Sequence, residues 1–269
     1  MRTEMRCRAA AGVIALVTLA ASLAACQTNP LTGRSQLLLV SEQQAQSASA
    51  KAYTTTLQQS RGKGHLDSNP AQSQRIKAIT DRLIAQAVKL RPESAAWKWD
   101  VHVIDDAEVN AWCMAGGKMA MYSGLLQRLK PSDDEIAQVM GHEISHALLM
   151  HTREQMSRAL ATEAGLEIGS ILSGVDLTSL ESVANVALLL PNSRQAESEA
   201  DRLGIELAAR AGYDPNAAIA LWTKMSHLGG GKPPQWLSTH PSDQTRIDDL
   251  QKLVPQMMAY YQAAQSMQR

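Results

Sequence analysis

The chain has 269 residues, with 26 basic and 26 acidic side chains, a formal net charge of zero, 45% apolar residues and no phenylalanine. With both signs of charge interspersed there is no electrostatic field to draw the molecule to nucleic acid, so that class of partner is excluded. Two of its three cysteines lie within the first 26 residues, which excludes a disulfide framework.

Arg2, Arg6 and Arg8 precede the apolar run 9–25, which ends at Leu23-Ala24-Ala25-Cys26. A basic start, a short apolar run and small residues before a cut are the layout of a secretory signal. The run falls short of the roughly 20 residues that span a bilayer. Residues 1–25 are therefore expected to be removed. Leu23 to Cys26 also resemble a bacterial lipobox, which implies lipidation of Cys26 as the mature N-terminus, each buried CH2 contributing about 0.8 kcal/mol to anchoring. Gln27 follows the cysteine, where aspartate would resemble an inner-membrane retention signal, so the outer membrane is expected. Cys113 is then the sole thiol of the mature chain.

About 240 residues remain, enough for one helix-rich domain with a sizeable core. The expected division is a lead and polar helix or linker over 26–60, then a folded domain over 61–269. Residues 41–59 are polar and alanine-rich and read as a surface helix or a flexible spacer. Asn69-Pro70 is a helix-start signal, and Ile76, Ile79, Leu83, Ile84 and Val88 follow at helical spacing, predicting a helix over Pro70–Leu90. Residues 97–104 alternate and are β-rich, while 111–114 and 118–122 flank Gly116-Gly117, so a small antiparallel sheet of about three strands is expected.

Residues 124–129 look helical and Pro131 ends them. Ser132-Asp133-Asp134-Glu135 then forms a capping box with an acidic first turn. The stripe Ile136, Val139, Met140, Ile144, Ala147 and Leu148 carries an amphipathic helix to about residue 158. Further helices are expected over 160–173, 193–211, 215–227 and 242–265, with a loop at 229–234. The best later apolar run, 183–190, is far too short to cross a bilayer. The fold class is thus α+β and mostly helical, with a central helix beside a small sheet.

On that helix His142 and His146 are four apart and point the same way, so they can share one Zn2+. Glu143 reaches the open side of such a metal, where it can take a proton from water and return it to a leaving amine. A third ligand should come from another element. Glu197 fits, in Ser193-Arg194-Gln195-Ala196-Glu197-Ser198-Glu199-Ala200-Asp201. Asp201 shares its helical face and can orient a ligating histidine, whereas Glu199 points elsewhere.

Together these residues resemble the HtpX, BepA and CAAX-prenyl-protease family of zinc metallopeptidases. The His142 to His146 helix and the Glu197 to Asp201 helix carry the likeness, with Asn110-Ala111, Gly116-Gly117 and Tyr122-Ser123-Gly124-Leu125-Leu126. Asn29-Pro30-Leu31-Thr32-Gly33-Arg34 and Ser238-Thr239-His240-Pro241 look like its soluble envelope branch. The resemblance implies a gluzincin-like domain with one Zn2+ per chain that hydrolyses internal peptide bonds of misfolded or misassembled envelope proteins. It implies too that residues 110–114 form an edge that can pair with an extended peptide.

His240 lies in a loop before a proline. It is expected to take the fourth metal position and hold the enzyme off, or else to donate to the tetrahedral intermediate. Arg246 can meet a carboxylate or a developing oxyanion. Cys113 reads as a small hydrophobe, and His65, His102 and His227 as structural or exposed. His151 comes two and a half turns after His142 and so turns off the ligand face. The alternative function is a chaperone-like lipoprotein assisting outer-membrane protein assembly, with incidental or regulated proteolysis. Intact Glu143 argues against a dead enzyme, and the lack of His-rich tracts against zinc storage.

Overall fold

Two short strands open the part of the chain that the computed structural model describes, residues 26–165, 179–228, 234–240 and 244–267. The expected leader 1–25, the end of the 160–173 helix, most of the 229–234 loop and the start of the 242–265 helix lie outside the described residues. Strand β1 (Cys26–Thr28) pairs antiparallel with β2 (Ser35–Leu37). Buried Asn29 organises the turn between them, its Oδ1 accepting from the backbone N–H of Leu31 at 2.9 Å.

Helix α1 (Glu42–Gly62) starts at a capping box formed by Ser41 and Gln44, and buries Ala45, Ala48, Ala52, Tyr53 and Leu57 along one face. This stretch is therefore a packed helix and not a spacer. Helix α2 (Pro70–Leu90) has the expected bounds: Asn69 caps it, Pro70 sits where a missing N–H costs nothing, and Ile76, Ile79, Leu83 and Ala87 are buried. A 3-10 turn over Pro92–Ala96 leads into the sheet.

The three strands are β3 (Asp100–Ile104), β4 (Ala111–Met114) and β5 (Lys118–Tyr122), in the order β3-β5-β4. The sheet is mixed rather than antiparallel throughout. The β4–β5 hairpin is antiparallel, but β3 runs parallel to β5. After β3 the chain crosses the end of β5 and returns as β4, so the hairpin inserts β5 between the other two. The crossing loop is tied down by Tyr122 N–H to Asn110 O at 3.0 Å and Gly124 N–H to Asp106 O at 2.7 Å. Strand patterning reveals three strands but not which lies in the middle. At the hairpin tip Gly116 and Gly117 take φ of 79° and 73°, and a Cβ on Gly117 would strike the Trp99 ring at 2.3 Å.

Both faces of the sheet are covered, and side chains alternate between two cores. Ala111, Cys113, Met119 and Met121 join the core built with α2, while Trp112, Met114 and Ala120 join the one with α1. Methionines fill space that phenylalanine would otherwise take.

Helix α3 (Ser123–Leu129) ends at Lys130 in a left-handed conformation. Ser132 and Glu135 then form the expected capping box of α4 (Asp133–Leu148), and every residue from Glu135 to Leu148 is buried. A helix buried all round is the centre of a domain. It stops at Leu148 rather than near 158: Met150 adopts φ 60° and α5 (His151–Gly165) begins. No glycine or proline marks this break. Distant donors take the orphaned carbonyls, Arg91 Nη1 on Leu148 O at 2.9 Å, Asn29 Nδ2 on Leu149 O at 2.8 Å and Gln36 Nε2 on Leu149 O at 2.9 Å.

Helix α6 (Leu180–Ala187), which overlaps the apolar run 183–190, packs on α1. Ser193 caps α7 (Arg194–Arg210), which lies across α4. Helices α8 (Asn216–Ser226), α9 (Gln235–Thr239) and α10 (Gln244–Met267) complete the described chain. The α4–α7 crossing puts Gly141 on Gly204, where a Cβ on Gly204 would stand 2.8 Å from His142 N and one on Gly141 2.8 Å from Gly204 O. The two backbones touch. Among the described residues no helix is long and apolar enough to cross a membrane.

Candidate metal centre

The close crossing sets the face of α4 carrying His142 and His146 against the face of α7 carrying Glu197 and Asp201. One ligand atom from each of His142, His146, Glu197 and His240 falls within 4.8 Å of all the others, and all four residues are buried. His142 Nε2 and His146 Nε2 are 3.0 Å apart, and Glu197 oxygens lie 3.5 and 3.4 Å from them.

These residues fit zinc. Tetrahedral ligand atoms about 2.0–2.1 Å from the metal stand roughly 3.3 Å from one another, which is the spacing seen. The second sign is Glu197, 1% exposed, whose carboxylate oxygens receive no aligned hydrogen bond. A buried carboxylate costs several kcal/mol unless a cation meets it; Arg246 Nη1, 2.7 Å from Oε2, supplies one and leaves the histidine side open to another.

Behind His142, Nδ1 lies 3.0 Å from Asp201 Oδ1, somewhat off the line of an ideal hydrogen bond. Asp201 is gripped by Arg246 through Nε at 2.8 Å and Nη2 at 2.6 Å. Arg246 thus meets the carboxylates of Glu197 and Asp201 from a buried position. Burial disfavours a charge on His142, but Asp201 and Glu197 outweigh it and raise its pKa to about 9. Burial likewise opposes ionisation of Glu197, and the facing His240, His142 and His146 overcome that and hold it well below the usual carboxylate range. Burial keeps His146 neutral, with its pKa well below the ordinary value. The site is built for a positive charge between its carboxylates.

Glu143 is buried beside this group, and α9 covers it. Trp236 Nε1 donates to Glu143 Oε1 at 2.7 Å, and His240 Nε2 is 3.6 Å from the same oxygen. His240 therefore does reach the site, as the C-cap of α9. A narrow cleft runs alongside, lined by Asn110, by Ala111 to Cys113 of the β4 edge, and by Glu143 and His146. Cys113 is buried, and burial pushes its thiol pKa well up, consistent with a packing role.

Sequence reasoning brought together His142, Glu143, His146, Glu197 and Asp201, but missed three features. Trp236 has no signal beyond being an aromatic residue in a loop-rich stretch. Gly141 and Gly204, inside helical patterns, were a usable signal of close backbone approach. His151 is off the ligand group as expected, yet the break at Met150 swings it back, so that its Nδ1 meets His146 Nδ1 at 2.9 Å. Glu199 points away from the ligands and onto His151.

The profile of peptidase family M48 matches residues 70–254. The chain is 30% identical over 254 residues to the human mitochondrial metalloendopeptidase OMA1, covering 86% of this chain and 46% of the relative. The Saccharomyces cerevisiae mitochondrial metalloendopeptidase OMA1 is 34% identical over 177 residues, 61% of this chain and 50% of the relative. The beta-barrel assembly-enhancing protease of Yersinia pestis is 31% identical over 218 residues, 75% of this chain and 43% of the relative. The chain spans about half the length of the curated relatives it matches.

Proposed function

The chain belongs to peptidase family M48, and on that footing we propose that it is a zinc-dependent endopeptidase of the bacterial cell envelope, lipid-anchored through Cys26 to the periplasmic face of the outer membrane and cleaving misfolded or misassembled envelope proteins. The observation that carries the catalytic part is a buried His142–His146–Glu197 group with Glu143 beside it at the end of an open cleft. What supports the envelope part is the basic, apolar and Leu23–Cys26 order of the first residues and the likeness to an assembly-enhancing protease.

His142, His146 and Glu197 would hold the zinc. Bound there, it would polarise the scissile carbonyl and acidify water. Glu143 takes the proton from the attacking water and delivers it to the leaving amine. The edge of β4 borders the cleft, so an extended substrate can add to the sheet while the cleft takes a side chain. Asp201 and Arg246 fix the His142 ring. A second reading, an assembly-assisting lipoprotein whose proteolysis is regulated or incidental, draws on one observation: α9 covers Glu143.

The test is zinc content of the purified chain together with casein cleavage, with and without chelator. Glu143→Gln should keep the zinc and lose about 10²–10⁴-fold in turnover; undiminished turnover would overturn the mechanism. For the anchor, mass spectrometry of the membrane-extracted protein should find an acylated N-terminal Cys26, and a free thiol there would overturn it.

A further inference from the structure

His146 faces the metal group with Nε2, and its other nitrogen, Nδ1, is 2.9 Å from Nδ1 of His151. His151 Nε2 is in turn 3.1 Å from Glu199 Oε2. Arg34 holds Glu199 through Nε at 3.0 Å and fastens its two terminal nitrogens to Glu154 at 3.0 and 2.6 Å. This chain of contacts fixes protons. A carboxylate only accepts, so His151 carries its proton on Nε2. Neutral His151 then has a bare Nδ1, which accepts from Nδ1–H of His146. His146 is left with its lone pair on Nε2, aimed at the metal position.

The same turn that supplies Arg34 supplies the bend that makes this possible. Asn29 and Gln36 bind Leu149 O, where α4 ends, and without that break His151 would follow the helix away from His146. The Asn29 to Arg34 segment, which the peptidase chemistry leaves without a role, is thus linked through Glu199 and His151 to His146.

We propose that His151 and Glu199, held by Arg34, are positioning residues that set the tautomer and ring orientation of His146. This rests on the reading of His142, His146 and Glu197 as zinc ligands. The experiment measures zinc affinity by competition with a chromogenic chelator, and the visible spectrum of the cobalt(II)-loaded protein, on the full chain in detergent. His151→Leu should weaken zinc binding about 10–100-fold, in the range known for residues that orient a metal ligand, and should alter the cobalt spectrum. His151→Asn, whose amide oxygen can replace the Nδ1 acceptor, should recover part of both. Arg34→Gln, which touches neither histidine, should weaken binding by a smaller factor.

A His151→Leu protein that folds like wild type and keeps its zinc affinity and cobalt spectrum overturns the inference. So does one that only melts earlier while its cobalt spectrum stays put. Should the leucine variant fail to fold, wild-type affinity and spectrum in both His151→Asn and Arg34→Gln overturn it instead. Wild-type chain that takes up no zinc would overturn the metal-site reading and this inference with it.

Discussion

The indole N–H of Trp236 donates a 2.7 Å hydrogen bond to Oε1 of Glu143, and both residues are almost wholly buried. The Trp236 ring lies between Trp222, at 4.9 Å, and His240, at 5.0 Å, and its backbone N–H reaches Val109 O at 3.3 Å. A carboxylate covered in this way has little room to take a proton from water until α9 lifts. Trp236→Phe keeps the stacking and removes the donor. A hydrogen bond to a charged group is worth about 1.5 kcal/mol or more, so casein cleavage should rise roughly tenfold at unchanged zinc content. A fall in turnover comparable to that of Glu143→Gln would instead make the indole a partner in catalysis and sink the closure reading.

Gly204 offers a test of how the two ligand-bearing helices are held together. Alanine is ordinarily favoured over glycine inside a helix by about 1 kcal/mol. Here its Cβ would meet His142 N at 2.8 Å and His142 Cα at 2.9 Å, and backbone cannot swing aside as a side chain can. Overpacking of this kind costs roughly 1–3 kcal/mol. Gly204→Ala should therefore lower Tm on balance and weaken zinc binding, because the displacement falls on a ligand and on the helix that supplies Glu197 and Asp201. A variant with raised Tm and unaltered zinc affinity would show that the crossing has slack.

What the sequence made legible follows the range over which the causes act. Asn69-Pro70 and Ser132 to Glu135 are local cap signals, and α2 and α4 begin where they say. His142, Glu143 and His146 share a face through helix geometry alone, and Glu197 with Asp201 by the same rule. The misread features have distant causes. Helix α4 ends because Asn29, Gln36 and Arg91 capture its last carbonyls, which no pattern within residues 133–158 can announce. The parallel pairing of β3 with β5 depends on which way a loop crosses. Trp236 reaches Glu143 only because α9 folds back over α4.

A pH dependence of stability separate from the metal site resides in His102. Its Nδ1 is 2.5 Å from Asp67 Oδ2 and its Nε2 is 3.6 Å from Asp100 Oδ2, with Tyr53 and Lys118 nearby. The Asp100 contact raises the His102 pKa against the effect of burial, with Asp67 adding to it, and so the folded state holds this proton more tightly than the unfolded chain. The contribution is fully present below about pH 6.5, the unfolded histidine value, and is lost as pH rises through the higher folded pKa. Both aspartates are shifted down, so their share fails only in acid, below the ordinary carboxylate value. For partly exposed pairs the effect is on the order of 0.5 kcal/mol. Urea midpoints of the zinc-loaded protein should fall between pH 6 and 8.5, and His102→Gln should flatten that slope. Parallel slopes in the two proteins would remove His102 from the account.

His240 admits two opposite roles, and its hydrogen bonds favour one. Its Nδ1 is 3.0 Å from the carbonyl oxygen of Trp236 and 3.0 Å from Thr239 Oγ1. A carbonyl only accepts, so a proton sits on Nδ1, and in the singly protonated ring Nε2 is bare on the side of Glu143 and the ligand group. A bare nitrogen is a metal ligand. It is no donor to an oxyanion unless the ring takes a second proton. With His142, His146 and Glu197 supplying three ligands, His240 in the fourth position would exclude the water that Glu143 must activate, and the Trp236 bond would hold α9 in that place. His240→Ala should then cleave casein, or the chain itself, faster than wild type, and should bind zinc less tightly because one donor is gone. Combined with Trp236→Phe it should add little, since both changes release the same closure. A loss of roughly a hundredfold in turnover would assign His240 to the oxyanion instead. Wild-type turnover with wild-type zinc affinity would leave it with neither role, and α9 would then be a cover held by Trp236 alone.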